Sequence, residues 1–217
     1  MLNGFFYCRK VVRFVRFRHG KFFLSADEKK VIDINSVSPI KSREKVKDIA
    51  KYLKLTNERN YMLFMLGIYS GLRVSDILRL RVKDVIGKSH FLLKENKTKK
   101  TQKLIINDEL KKELRWYCKR MLPDDYLLPS RVTREGRKKP ISRQRAFQIL
   151  KDVAIKFEED NIACHSMRKT FGYHYYRNTG DIATLQKIFN HSSPRETLIY
   201  LGIEQAEKDR AMKKFRY

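Results

Sequence analysis

The stretch Tyr61-Met62-Leu63-Phe64-Met65-Leu66-Gly67-Ile68 constrains the fold more than any other part of the chain. Read at helical period from Glu58 to Tyr69 it is apolar almost all the way round, and a helix of that kind belongs in the middle of a core. With 217 residues the chain can bury roughly 70–75% of its unfolded surface, so it needs no disulfide or metal to fold. A hydrophobic fraction of 42% and an aromatic fraction of 12% exclude a mainly disordered protein. No apolar run approaches the roughly 20 residues of a membrane span.

The segments around this one carry clear periods and ends. Val46, Ile49, Ala50 and Leu53 give an amphipathic helix beginning near Lys41. Gly71 is a stop for the apolar helix, and Ser75 a cap for a third short helix running through Leu80. The period then changes: His90–Lys94 and Gln102–Ile106 read as strands of a hairpin around the polar turn Asn96–Thr101. Helical pattern resumes over Glu109–Met121, Arg131–Lys139 reads as a basic loop, and Ser142–Phe157 is a helix led by Arg143 and Arg145. His165–Arg177 is helical with Gly180 as its cap. Asp181 opens a helix with Ile182, Leu185, Ile188 and Phe189 on one face. Ser193-Pro194-Arg195-Glu196 combines a capping Ser, a first-turn Pro and the Glu of a capping box, which puts Tyr200 about two turns into a final helix. The expected fold class is α+β, mainly α, with a small antiparallel β-sheet or hairpin.

Charge narrows the partners. Lys and Arg number 49 against 24 Asp and Glu, a net +25 that draws polyanions and puts nucleic acid or an anionic membrane first. No helix pairs a broad lysine face with a Trp/Leu face, which argues against a membrane-surface role. Cys8, Cys118 and Cys164 are odd in number and far apart, which points to a reducing cytoplasm. Residues 1–24 hold six Lys or Arg and no acid, with aromatics interleaved; Val11–Arg18 is read either as a strand or as a basic arm along DNA, against a disordered tail or a start codon placed too early.

Four features carry chemistry: Gly71-Leu72-Arg73, the lysine-rich hairpin at Lys97, His165-Ser166-Met167-Arg168, and His191 followed nine residues later by Tyr200. His165 and Arg168 share a helix face. Two guanidiniums, from Arg73 and Arg168, can grip the non-bridging oxygens of a phosphodiester through forked hydrogen bonds. Two imidazoles and a lysine can move protons, and a tyrosine hydroxyl of pKa about 10 is a nucleophile once its proton has a destination. Taken singly, each residue has a plainer role: Arg73 on a helix start, Tyr200 as a core aromatic, His174 packed among Tyr173, Tyr175 and Tyr176. Cys164 with His165 and His191 raises a zinc site, but no fourth ligand stands at a familiar spacing.

In sequence order these features resemble the tyrosine recombinases, the phage-integrase family. Gly71-Leu72-Arg73-Val74-Ser75-Asp76-Ile77-Leu78-Arg79-Leu80 is similar to the family's first arginine box, and His165-Ser166-Met167-Arg168-Lys169-Thr170-Phe171 to its second. Asn190-His191-Ser192-Ser193-Pro194 with Ile199-Tyr200 resembles the third, and Asn96-Lys97-Thr98 the site of the catalytic lysine, with Lys94, Lys99, Lys100 and Lys103 close by. The resemblance runs from about Pro39 to Ile203. It implies a basic aromatic N-terminal arm and linker over residues 1–38, too few for the family's separate N-terminal helical domain, and a catalytic domain over 39–217.

The resemblance also implies an activity: site-specific cutting and rejoining of double-stranded DNA for a phage, plasmid or transposon, through a 3′-phosphotyrosine link and without metal, ATP or other cofactor. Tyr200 would attack the phosphate, and Arg73 and Arg168 would stabilise the transition state. Lys97 would protonate the leaving 5′-oxygen, His165 would assist proton transfer, and His191 would hydrogen-bond the phosphate. It further implies a DNA-assembled homo-tetramer, with Glu204–Tyr217 as a docking tail or a solvated end, a DNA-bending or directionality helper, and a cytoplasmic, nucleoid-associated setting in a prokaryote or virus. A type IB topoisomerase or hairpin telomere resolvase uses similar chemistry. The alternative of another class is a DNA-binding accessory protein, with Leu66–Arg81 as a helix-turn-helix, or a degenerate recombinase that binds without cutting.

Overall fold

The structure, a computed structural model, describes residues 16–18, 21–23, 37–94, 101–134, 137–159, 162–203, 212–213 and 216. The chain divides into two compact units, Met1–Val37 and Ser38–Tyr217. In the first, strands β1 (Arg16–Arg18) and β2 (Lys21–Phe23) pair antiparallel, with Phe17 opposite Phe22. Most of the N-terminal arm, including Val11–Val15 of the expected strand, lies outside the described residues.

The second unit is mainly helical. Helix α1 (Arg43–Thr56) starts where the Ser42 hydroxyl accepts from the Lys45 amide, two residues later than the sequence pattern suggested. Helix α2 (Glu58–Ser70) is capped by Asn57, and Tyr61 through Gly67 are all buried along it, as an all-round apolar helix requires. It ends at Gly71, whose φ of 63° lies in the left-handed region. The short helix α3 (Val74–Ile77) is capped by the extended backbone of Arg73 and not by Ser75. At four residues, with Val74 and Ile77 turned inward, it is no recognition helix, which removes the helix-turn-helix reading of Leu66–Arg81.

Strands β3 (His90–Lys94) and β4 (Thr101–Ile105) form the expected antiparallel hairpin, with Phe91 opposite Leu104. Helix α4 (Asp108–Tyr117), capped by Asn107, follows and tightens into a single 3₁₀ turn over Cys118–Arg120. The expected basic loop at Arg131–Lys139 is instead a second hairpin, β5 (Pro129–Arg134) with β6 (Arg137–Pro140), irregular between Pro129 and Thr133. Its ends explain why it forms without apolar alternation. Leu128 and Ile141 are buried and joined by an Ile141 amide to Leu128 carbonyl bond of 2.8 Å, and Arg59 of α2 donates to the Pro129 carbonyl at 2.8 Å. Backbone pairing completes the turn between those anchors.

Helix α5 (Arg143–Lys156) is capped by Ser142, α6 (Cys164–Thr179) ends on Gly180, α7 (Ile182–Phe189) starts on Asp181, and α8 (Pro194–Leu201) starts on Ser193. Two hydrophobic clusters result. The larger closes over α2 and draws on α1, α3, α4, α5 and Met167 of α6. The smaller gathers Leu185, Phe189, Leu201 and Ile203 beneath Phe171, Tyr175 and Tyr200. Helix α6 belongs to both, and it approaches its neighbours through glycines. A Cβ on Gly67 of α2 would stand 2.6 Å from Met167 Sδ, and one on Gly172 of α6 would stand 2.7 Å from Phe189 Cζ and 2.8 Å from Leu201 Cδ2. Among the described residues no helix is long and apolar enough to cross a membrane.

Candidate active site

The turn after α2 brings Arg73 to the site. Gly71 reverses the chain so closely over α6 that a Cβ there would lie 2.4 Å from the Phe171 ring, and Arg73 follows two residues on, half-buried. Asp76 in the following turn is buried, with 4% of its surface exposed. The sequence reading passed over it although it stands within the first box, because a pattern of residue types does not report burial.

Helix α6 supplies the middle of the site. Arg168 is 4% exposed and donates twice to main-chain carbonyls: Nη1 to Gly71 O at 2.5 Å and Nη2 to Phe189 O at 2.9 Å. Its guanidinium also lies 4.3 Å from the Phe189 ring centroid. It therefore ties the end of α2 to the end of α7. A guanidinium has five N–H donors, which lets one side chain hold both carbonyls and still face Tyr200.

His165, one turn earlier, keeps its surface open to solvent while its pKa is lowered, first by the protein packed against it and then by Arg168, Lys169, Arg143 and Arg73. Four cations near one imidazole disfavour its protonation. His174, farther along α6, serves packing: its Nε2 lies 3.0 Å from the Ile40 carbonyl oxygen. The Thr170 hydroxyl accepts from the Ile40 amide at 2.9 Å.

The last two positions come from the small cluster. Asn190 adopts φ 51° and ψ 47° at the end of α7, which turns the chain so that His191 faces α8. His191 Nδ1 lies 3.0 Å from the hydroxyl of buried Thr197, and its ring meets Tyr200 at 5.2 Å between centroids. Ser193 caps as expected, its hydroxyl accepting from the Glu196 amide at 3.1 Å, and the Glu196 side chain reaches back beyond it. Its carboxylate accepts from the Ser192 amide at 2.7 Å and hydroxyl at 2.8 Å, one residue earlier, and so braces the loop that carries His191.

Tyr200 lies against Phe189 at 5.6 Å and beneath Lys169, whose Nζ is 5.1 Å from the ring centroid. Its hydroxyl is buried, and among the described residues none meets it at full hydrogen-bond geometry, Arg168 being close enough to act on it. Desolvation raises its pKa, while Arg168 and Arg73 are close enough to oppose that rise. Arg73, His165, Arg168, His191 and Tyr200 are thus brought together; Lys97 lies outside the described residues. Lys169 and Thr197 join them unforeseen: Lys169 stands within the second box without a role of its own there, and Thr197 lies outside the boxes.

Cys164 beside His165 is held protonated, its thiol pushed up to about 11 by burial. Among the described residues no group of three or more His, Cys, Asp or Glu converges as metal ligands would.

The helical unit thus gathers two arginines, two histidines and a tyrosine from three separated stretches of the chain, and comparison with known proteins gives its family. Residues 42–207 match the model of the phage integrase family, and the chain belongs to that family. It is 48% identical over 179 residues to "Probable integrase/recombinase YoeC" of Bacillus subtilis, covering 82% of this chain and 97% of that one. A tyrosine recombinase of Pseudothermotoga lettingae is 28% identical over 174 residues, but the match spans only 58% of its length. In fold the chain resembles the crystal structure of XerA recombinase, with a TM-score of 0.65 at 23% identity over 84% of this chain and 68% of that one. It also resembles XerH recombinase bound to palindromic difH substrate in a post-cleavage complex, with a TM-score of 0.64 at 16% identity over 83% of this chain and 54% of that one.

Proposed function

We propose that this tyrosine recombinase cuts and rejoins double-stranded DNA with Tyr200 as nucleophile. One observation carries the reading: the Tyr200 hydroxyl is buried beside Arg168 and Arg73, where both guanidiniums weigh on its ionisation. In this reading the Tyr200 oxygen attacks a backbone phosphorus, its proton leaves to a base, and the 5′-oxygen departs with a proton. A 3′-phosphotyrosyl ester remains, and attack by a 5′-hydroxyl reverses the step, so the bond energy is conserved without ATP. Arg73 and Arg168 neutralise the charge gathering on the non-bridging oxygens; losing one such donor costs about 10²–10³-fold in rate. His165 exchanges protons within the cationic cluster, and His191, held through Nδ1 by Thr197, turns its other ring nitrogen toward the phosphate. Lys97, on the sequence between β3 and β4, protonates the leaving oxygen.

The same reading has the protein working as a tetramer on paired duplexes, with a helper for DNA bending or direction. It also has the protein serve a mobile element as an integrase, a word in the name of its Bacillus subtilis relative. A basic surface that neutralises roughly 6–10 phosphates makes binding fall about 10³–10⁵-fold between 50 and 200 mM salt.

The test is covalent capture without magnesium. The protein and Tyr200→Phe are incubated with duplex DNA from the gene's own flanks and with nicked duplexes that trap the intermediate, then quenched in SDS and separated under denaturing conditions. An adduct with the unmutated protein alone is the expected outcome. DNA that is bound yet never captured, even when nicked, would leave an accessory binder or a degenerate recombinase.

A further inference from the structure

Lys169 is only 9% exposed, and lysine is almost never buried so deeply without a compensating contact. One of its contacts is a ring: Lys169 Nζ stands 5.1 Å from the centroid of Tyr200. Phe189 and His191 pack on the same ring at interplanar angles of 79° and 73°. The ring is thereby enclosed by a cation, a benzyl group and an imidazole. Lys169 also follows Arg168 directly, so the residue fastened to two carbonyls sets the place from which the lysine reaches.

We infer that Lys169 is a positioning residue for the nucleophile: its ammonium, seated against the Tyr200 ring, fixes the phenol's orientation and favours the ring as it gains negative charge. The inference rests on the reading of Tyr200 as nucleophile. An ammonium is attracted by the quadrupole of a neutral ring, and more strongly by the same ring once the phenol gives up its proton. An interaction that strengthens along the reaction raises the rate, whereas one of constant strength raises only affinity. Burial holds back the ionisation of Tyr200, so a cation on the ring acts on the step that the surroundings make costly. Burial also lowers the pKa of Lys169 itself, so its ammonium gives up a proton more readily than a surface lysine does.

The full chain, Lys169→Met and Lys169→Arg are compared on a nicked duplex under single-turnover conditions. Adduct formation rate, affinity for the same duplex and thermal midpoint are measured for each. Methionine matches the length of lysine and suits a buried place, so Lys169→Met is expected to keep the thermal midpoint and the DNA affinity. Its rate is expected to fall about 2- to 30-fold, the range of a cation–π contact of ~0.5–2 kcal/mol, with Lys169→Arg regaining part of the loss. An unchanged rate in Lys169→Met overturns the inference. So does a rate loss matched by lost affinity, which marks a phosphate contact, or by a lowered midpoint, which marks packing alone. If the unmutated protein binds the nicked duplex and forms no adduct, the reading of Tyr200 falls first and takes the inference with it.

Discussion

The large cluster around α2 and the small one behind Tyr200 are built on different scales. In the first, Met62, Leu63, Phe64 and Leu66 are fully enclosed, with α1, α4 and α5 packed about them. The second rests on Leu185, Phe189, Leu201 and Ile203, with half-buried aromatics over them. Free energy of local opening follows buried apolar area, so α7 and α8 open at lower cost than the α2 core. Arg73 therefore rises from the rigid region, His191 and Tyr200 from the lightly held one, and Arg168 spans the two.

That contrast can be broken at either end. Phe64→Ala removes a fully buried ring from the large cluster and should cost about 3–5 kcal/mol, lowering the midpoint of urea unfolding for the whole unit. A loss confined to a few amides would show that α2 is not the common core. Gly172→Ala acts on the other side: its methyl would press on Phe189 and Leu201, at a cost of about 1–3 kcal/mol. Hydrogen exchange should then quicken in α7 and α8 while α2 stays protected, and adduct yield should drop. Equal quickening in α2 would mean the two clusters open as one.

The smallest effect is on pH. His174 has its pKa lowered chiefly by burial, below the unfolded value near 6.5. Between those two values the unfolded chain binds more protons, so stability rises with pH; it declines as pH falls through about 6.5 and stops declining below the folded value. His174→Gln should flatten that slope in thermal scans at pH 5.5–7.5, and a slope left intact would assign it to other groups.

The sequence made much of this visible where local rules decide. The apolar run of α2, the left-handed stops at Gly71 and Gly180, and the capping residues Asp181 and Ser193 all stand where residue type alone places them. The β5–β6 hairpin did not show itself, because Leu128 and Ile141 at its base hold it and the charged strands carry no alternation. Asp76, Lys169 and Thr197 were equally silent. Their interest lies in burial and in partners distant along the chain, which no short spacing encodes. Arg168 was legible as a phosphate-binding type, yet not as the tie between two carbonyls 118 residues apart in position number, Gly71 and Phe189.

That tie changes how a genetic defect at Arg168 should be interpreted. An allele that replaces it with alanine strands two buried carbonyls as well as removing a charge, so its phenotype mixes misfolding with lost chemistry. Even lysine is no neutral exchange, since a single ammonium lacks the planar fork that reaches both acceptors at once. Alleles of Tyr200 or His191 disturb one helix and its loop. Alleles of Arg168 loosen the joint through which the two halves of the site keep their alignment.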